Sequence, residues 1–370
     1  MKKILFISLA VVLALSVGLI GCEGETPPEE DVWDSEITLT LHPTISQFAS
    51  IVELVIFPWI DEVEALVGDD GGSFNITVVT PGDSPYDAAG SLAAIAAGTT
   101  DIGMLSPETY HLGGAGYLPF EFDSIEQTAY VMYRLMTDND GVLDANGQLD
   151  GVKLLITMPL WGSQLWTTLN GGNVSVVGDM AGMLLRTDGQ AVESATVQAF
   201  GATPVHIGVS ELAGSLQTGA LEGCMFTYSG IGGAADLGGV TNYTTELDVV
   251  YRPYALAMDL DAYDALPADA KTALDSVCGL DASVAWASAH IAGQAEDKQA
   301  TIDGPCFMPP PPTCYPEYGR PINEADTSTF IAAVVDVKPD WATYMTDTLG
   351  YDGAAILTAI TDLKADYDAL

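Results

Sequence analysis

Arg186 sits in the run Asp179–Thr187 (DMAGMLLRT), where a planar guanidinium follows apolar residues of strand character. The chain carries only 11 Lys plus Arg against 51 Asp plus Glu, a formal net charge of −40 at pH 7. A cation among apolar residues in that background raises the question of which anion it holds. A guanidinium takes a carboxylate through two parallel charge-assisted hydrogen bonds. Two readings stand at this point: an anchor for a bound carboxylate, or a structural arginine paired with a neighbouring acid such as Asp179 or Asp188. The candidate wall around it is polar and aromatic, with Trp161, Gln164 and Trp166 in one stretch and Phe226 and Tyr228 in another. Aromatic side chains of this kind give apolar surroundings to one charged group, although aromatics on strands are commonly core. Ser106 and Glu108 follow a short apolar strand and should open onto the same cleft, because ligands of open α/β sheets sit at the carboxyl ends of strands.

The elements that would position these residues alternate between strand and helix signals, the pattern of an α/β protein. Glu36–Leu41 alternates with period two, Gln47–Leu66 has helical apolar spacing, and Phe74–Thr80 returns to strand. Tyr86–Ala97 reads as a helix closed by Gly98, Asp101–Leu105 as a buried strand, and Ser124–Met136 as a helix capped by Ser124. A second unit begins near Val152: strand Lys153–Thr157, strand Met183–Thr187, helix Gln190–Phe200, strand Thr203–Ile207, and helix Ser210–Thr218 with Ser210 as its cap. After the strand-like run Val249–Asp259 the chain is mostly helical to Leu370, interrupted by a Pro-rich insertion at 304–321. Gly219 and Gly223 stop a helix and open a strand, so their use is backbone geometry.

The ends and the composition bound where such a protein works. Met1-Lys2-Lys3 and the apolar run Ile4–Ile20 form a secretory signal that ends in Leu19-Ile20-Gly21-Cys22, a lipobox. Cys22 is therefore expected to carry lipid, with 23–35 as a flexible tether. No later run is long enough to cross a bilayer. The acidic excess argues against nucleic acid and against electrostatic binding to an anionic membrane. Cys306 and Cys314 bracket a Pro-rich heptapeptide and read as a disulfide loop in an oxidising compartment, while nothing local pairs Cys224 with Cys278. Four scattered His and no Cys-x-x-Cys suggest no metal site, and no cofactor is expected. Ser163 lacks the second glycine of a nucleophile elbow, so no hydrolase emerges from it.

Ordered motifs add a resemblance. Ala96–Gly103 (AAGTTDIG), Leu118–Phe122 (LPFEF), Asp179–Thr187, Phe200–Pro204 (FGATP), Glu211 and Leu216–Gly223 (LQTGALEG) follow one another as in the DctP family. Those proteins are the substrate-binding subunits of TRAP (tripartite ATP-independent periplasmic) transporters; Leu266–Asp269 (LPAD) is similar too. The resemblance implies a two-lobed periplasmic-binding-protein-like clamshell with crossing segments and a helical C-terminal part. Lobe I would comprise 36–160 plus about 253–295, and lobe II 161–252 plus about 296–370. It also implies that Arg186 salt-bridges a substrate carboxylate, that a small organic acid is the ligand, and that small and large TRAP membrane subunits are the partners. Some relatives carry a second arginine about twenty residues earlier; here that neighbourhood is Gln164–Thr168, so Arg186 is expected to be the lone cation of its pocket. The expected ligand is a monocarboxylate with an apolar or aromatic body. An ATP-driven transporter's binding protein and a ligand sensor remain the rival readings.

Overall fold

A computed structural model describes residues 32–44, 51–80, 90–107, 113–137, 149–231, 235–304, 306–307 and 313–370. Cys22 and Glu108 lie outside the described residues. The chain builds a two-lobed α/β fold on two sheets. The first has strand order β2-β1-β3-β10-β4, from β1 (Glu36–His42), β2 (Ser73–Val78), β3 (Ile102–Leu105), β4 (Val152–Gly162) and β10 (Tyr251–Asp259). The second has order β13-β9-β5-β8-β6-β7, from β5 (Gln164–Thr167), β6 (Leu184–Thr187), β7 (Thr203–His206), β8 (Gly223–Phe226), β9 (Tyr243–Glu246) and β13 (Ile322–Glu324).

The strand burial follows from composition. β1 pairs in parallel with both β2 and β3, and β3 is buried along its whole length. Strands covered on both faces read as continuous apolar runs rather than alternation. One core face of the first sheet packs Leu41, Ile76, Ile102 and Met258 against Trp59, Ile60 and Leu274 of flanking helices. Trp33 belongs to the same core: it is buried, tilted against Phe74, and its amide donates to Asp269 Oδ2. The tether expected to run flexibly to residue 35 is thus docked from Trp33 onward.

Two strand connections carry the chain between sheets. β4 and β5 are separated only by Ser163, and the return passes from β9 through Leu247–Val250 into β10. The crossings are tied to each other, with the Ser163 amide donating to Val250 O and the Val249 amide to Ser163 O, both at 3.0 Å. A Cβ on Gly162 would come within 2.1 Å of Asp248 Oδ1, so glycine lets the crossings lie side by side. The helix Leu280–Asp303 then runs from β4 to the turn Tyr228–Ile231. The last helix, Gly353–Asp368, packs on the helix Ile125–Thr137, and the helix Val337–Asp347 packs on the helix Ala191–Ala199.

Several local expectations are met and others shift. Ser124 Oγ accepts from the Gln127 amide, the cap expected for the helix Ile125–Thr137. Gly98 and Gly219 adopt φ +65° and +75° where their helices end, a conformation glycine takes at no steric cost. A Cβ on Gly223 would approach Trp166 O to 2.5 Å. The helix expected to start after Ser210 starts two residues earlier, Val209–Gln217, with Gly208 rather than Ser210 as its cap. Cys224 and Cys278 are free thiols, each raised to about 12 chiefly by burial.

Candidate functional site

Arg186 lies one residue before the end of β6, in register with Val205 of β7 and Cys224 of β8. Register partners share a sheet face, and across β5 the same row continues through Trp166, which pairs with Cys224. Arg186 is 4% exposed, and its Nε donates to Ile207 O at 3.1 Å. Among the described residues no acid lies within ion-pair distance of it, and no hydrogen bond is made by its two terminal nitrogens. The two acids that could have neutralised it are used elsewhere. Asp179 accepts from the Ser175 and Val176 amides, which lowers its pKa, and Asp188 serves another arginine.

That second arginine is Arg252, and the expectation of a lone cation is corrected by it. Its strand carries a register shift between Tyr251 and Pro253 against β4, so Arg252 sits at a bulge. Bulges re-aim side chains, and this one sends a first-sheet residue to the second sheet. Arg252 Nη2 donates to Glu193 Oε1 at 2.8 Å and to Met225 O at 3.1 Å. Its Nε lies 3.2 Å from Asp188 Oδ2, an ion pair without hydrogen-bond alignment. Tyr117, after β3, donates its hydroxyl to the same Asp188 oxygen, and the guanidinium lies over the Tyr117 and Phe226 rings at 5.7 and 5.8 Å. The Asp188 amide in turn donates to Glu193 Oε2 at 2.7 Å. Both lobes therefore meet at one buried knot of two acids, one arginine and one tyrosine, next to Arg186.

Its electrostatics are asymmetric. Burial pushes Glu193 up, Asp188's charge adds to this, and Arg252 opposes it; the balance leaves Glu193 at about 8. Burial also pushes Asp188 up, but Arg252, the hydrogen bonds from Glu193 and Tyr117, and the charge of Arg186 hold it down at about 2. The two carboxyls are thus pushed apart, Glu193 toward the protonated form and Asp188 toward the ionised one, as expected when two carboxyls share a low-dielectric site.

The other expected site residues divide. Phe226 joins the knot through Arg252 and pairs in register with Gln164. Gln164 is fully buried and spends its amide on the crossing: Nε2 donates to Asp248 Oδ1 at 2.6 Å and Gly162 O at 2.9 Å, and Oε1 accepts from the Leu247 amide at 2.8 Å. Trp166 donates to Phe226 O and meets Tyr228 edge-on at 6.5 Å within the second sheet's outer core. Trp161 packs instead on His290 at 4.5 Å and donates to its carbonyl. The four aromatics are therefore not gathered into a single wall. Ser106 is buried at the end of β3 beside Thr44 Oγ1, 3.2 Å away. Ser163 lies in the crossing rather than on a nucleophile turn. Arg252, Glu193 and Tyr117 escaped the sequence reading; a proline following an arginine inside a strand was the available signal for a bulge.

Among the described residues no helix is long and apolar enough to cross a membrane, and no group of three or more His, Cys, Asp or Glu could hold a metal. Residues 67–304, more than half of the chain, match the family model for bacterial extracellular solute-binding protein, family 7 (DctP). The fold is similar to that of a TRAP solute-binding protein from Rhodoferax ferrireducens T118 in complex with copurified benzoate. The TM-score is 0.74 at 18% identity, covering 90% of this chain and 99% of that one. A TRAP periplasmic solute-binding protein from Bordetella bronchiseptica with bound mandelate gives 0.71 at 18% identity, covering 90% and 99%. One from Shewanella oneidensis with bound succinate gives 0.66 at 16% identity, covering 89% and 100%.

Proposed function

Because the chain belongs to the bacterial extracellular solute-binding proteins of family 7, binding proteins rather than enzymes, we propose that it captures a small monocarboxylate at Arg186 and delivers it to TRAP membrane subunits. The observation that carries this reading is an arginine only 4% exposed whose two terminal nitrogens have no protein partner among the described residues. A charge at that depth is stable only when hydrogen-bonded and paired, and two parallel N–H groups fit a carboxylate. Phe226 and Tyr117 place aromatic rings over the neighbouring Arg252, and Phe226 stands two residues beyond Cys224, the register partner of Arg186 on β8. The neighbouring Arg252 already holds two acids, which leaves no open cation for a second carboxylate. This favours a monocarboxylate such as the benzoate or mandelate of the similar structures over a dicarboxylate such as succinate.

Binding at the junction of the lobes would stabilise a closed form by hinge motion about the crossings. Lipid on Cys22 would keep the protein at the membrane that holds its permease. A thermal-shift screen of organic acids on the soluble part tests the reading. Aromatic monocarboxylates should raise the melting temperature, since ligand at 100 times its Kd stabilises by about 2.7 kcal/mol. A shift with dicarboxylates alone would contradict the ligand class, and no shift with any acid would contradict the site.

A further inference from the structure

The buried acids beside Arg186 have a use beyond holding Arg252. We propose that the Asp188–Glu193 pair sets the charge of the anion site: with one proton kept on the pair, the cluster carries one net positive charge and accepts one carboxylate, and loss of that proton weakens binding. This rests on the reading of Arg186 as the carboxylate anchor.

The geometry supplies the charge count. Arg186 and Arg252 bring two positive charges. Asp188 and Glu193 both engage Arg252, at 3.2 and 2.8 Å, with side chains 9% and 0% exposed against 4% for the arginine. If both acids were ionised, the cluster would be neutral before any ligand arrived. With Glu193 neutral, it is cationic by one, and a monoanion closes the count. Buried charge is tolerated when compensated within its own site, so the occupied site is balanced in the one-proton state alone.

Glu193 stands near the start of the helix Ala191–Ala199 and is faced by charged or titratable groups from several elements. Asp188 comes from the loop after β6, Cys224 from β8, Arg252 from β10, and Tyr117 from the segment after β3; Arg186 on β6 acts on Asp188, and Tyr254 on β10 acts on Arg252 and Tyr117. His206 on β7 lies against Gly189. The helix Val337–Asp347, packed on the same helix, carries Lys338, which is engaged by Glu121, and exposed Asp340, Tyr344 and Asp347. Burial holds Tyr117 well above the ordinary phenol range and Cys224 at about 12. Within the cluster, Glu193 is therefore the group whose proton is lost first as the solution turns alkaline. A carboxylate bound at Arg186 offsets the positive charge that helps hold Asp188 ionised and so raises the proton affinity of the pair, so ligand and proton bind together.

The test is calorimetric titration of the soluble protein with benzoate, or with the acid giving the largest thermal shift, from about pH 7.5 to about pH 9.5 in buffers of different ionisation enthalpy. Affinity should fall about tenfold for each pKa unit of coupling, and binding near pH 8 should take up a fraction of one proton. Glu193→Gln, which keeps a neutral side chain there, should show neither proton uptake nor the alkaline fall. A wild type that takes up no proton, or a Glu193→Gln that keeps the proton uptake and the alkaline fall, overturns the proposal and leaves the pair a structural tie. Arg186→Ala separates the two levels: unchanged binding there overturns the anchor itself, whereas lost binding with proton uptake persisting in Glu193→Gln overturns this inference alone.

Discussion

At the scale of single residues, the fate of each acid near Arg186 decides what the arginine is for. Asp179 turns back to cap two amides and Asp188 crosses to Arg252, so the structural reading of Arg186 loses both of its expected partners. The sequence made Arg186 visible because cations are scarce in it. Arg252 was just as scarce and went unseen, because its place depends on a bulge and on the meeting of two strands far apart in sequence. Replacing Arg252 by Met should destabilise the fold by about 3–5 kcal/mol, since it strands two buried acids without their counter-charge; chemical denaturation measures this. Glu193 sets a pH trend of the opposite kind to most carboxylates. Its folded pKa, about 8, lies above the unfolded value. Its contribution is therefore complete below the unfolded carboxyl range and is lost as pH rises toward about 8. Unfolding free energy should fall across that window in wild type and flatten in Glu193→Gln.

At the scale of elements, strand and helix types followed from periodicity, and the sheet order did not. The strands before β4 and the helices after β10 were readable because each carries its own apolar repeat. The crossing at Ser163 was not, because β4 and β5 form one nearly continuous run whose two halves join different sheets. Gln164 marks the switch: its side chain bonds the return crossing rather than a ligand surface. Substituting Gln164 by Leu should cost stability by about 1–3 kcal/mol, since the Leu247 amide and Asp248 lose a buried partner. The Pro-rich insertion offers a separate test. In the short hairpin of β11 (Cys306–Phe307) and β12 (Thr313–Cys314), the backbone places Cys306 opposite Cys314. Peptide mapping of unreduced, denatured protein should find these two linked, with Cys224 and Cys278 alkylated as free thiols. Alkylation at all four positions would remove the bridge.

At the scale of the whole molecule, the ordered motifs carried the two-lobed fold from sequence, while the knot that joins the lobes needed coordinates. Tyr117 and Arg252 come from the side of the first sheet and Asp188 and Glu193 from the second, so the lobe contact lies beside the proposed anchor Arg186. The net charge of −40 acts on the molecule as a unit. Self-repulsion of that size is screened by salt, whose Debye length falls from about 10 Å at 0.1 M to about 3 Å at 1 M. Melting temperature should therefore rise with sodium chloride over that range, while a flat response would mean the repulsion is already neutralised. The central claim is narrower, that Arg186 is the carboxylate anchor. Its most direct test is titration of Arg186→Ala with the acid that binds wild type, alongside the unliganded melting curve of both proteins. Loss of a charged pair of hydrogen bonds, about 1.5–3 kcal/mol each, predicts at least a hundredfold weaker binding with the fold intact. Unchanged affinity in a folded variant would contradict it.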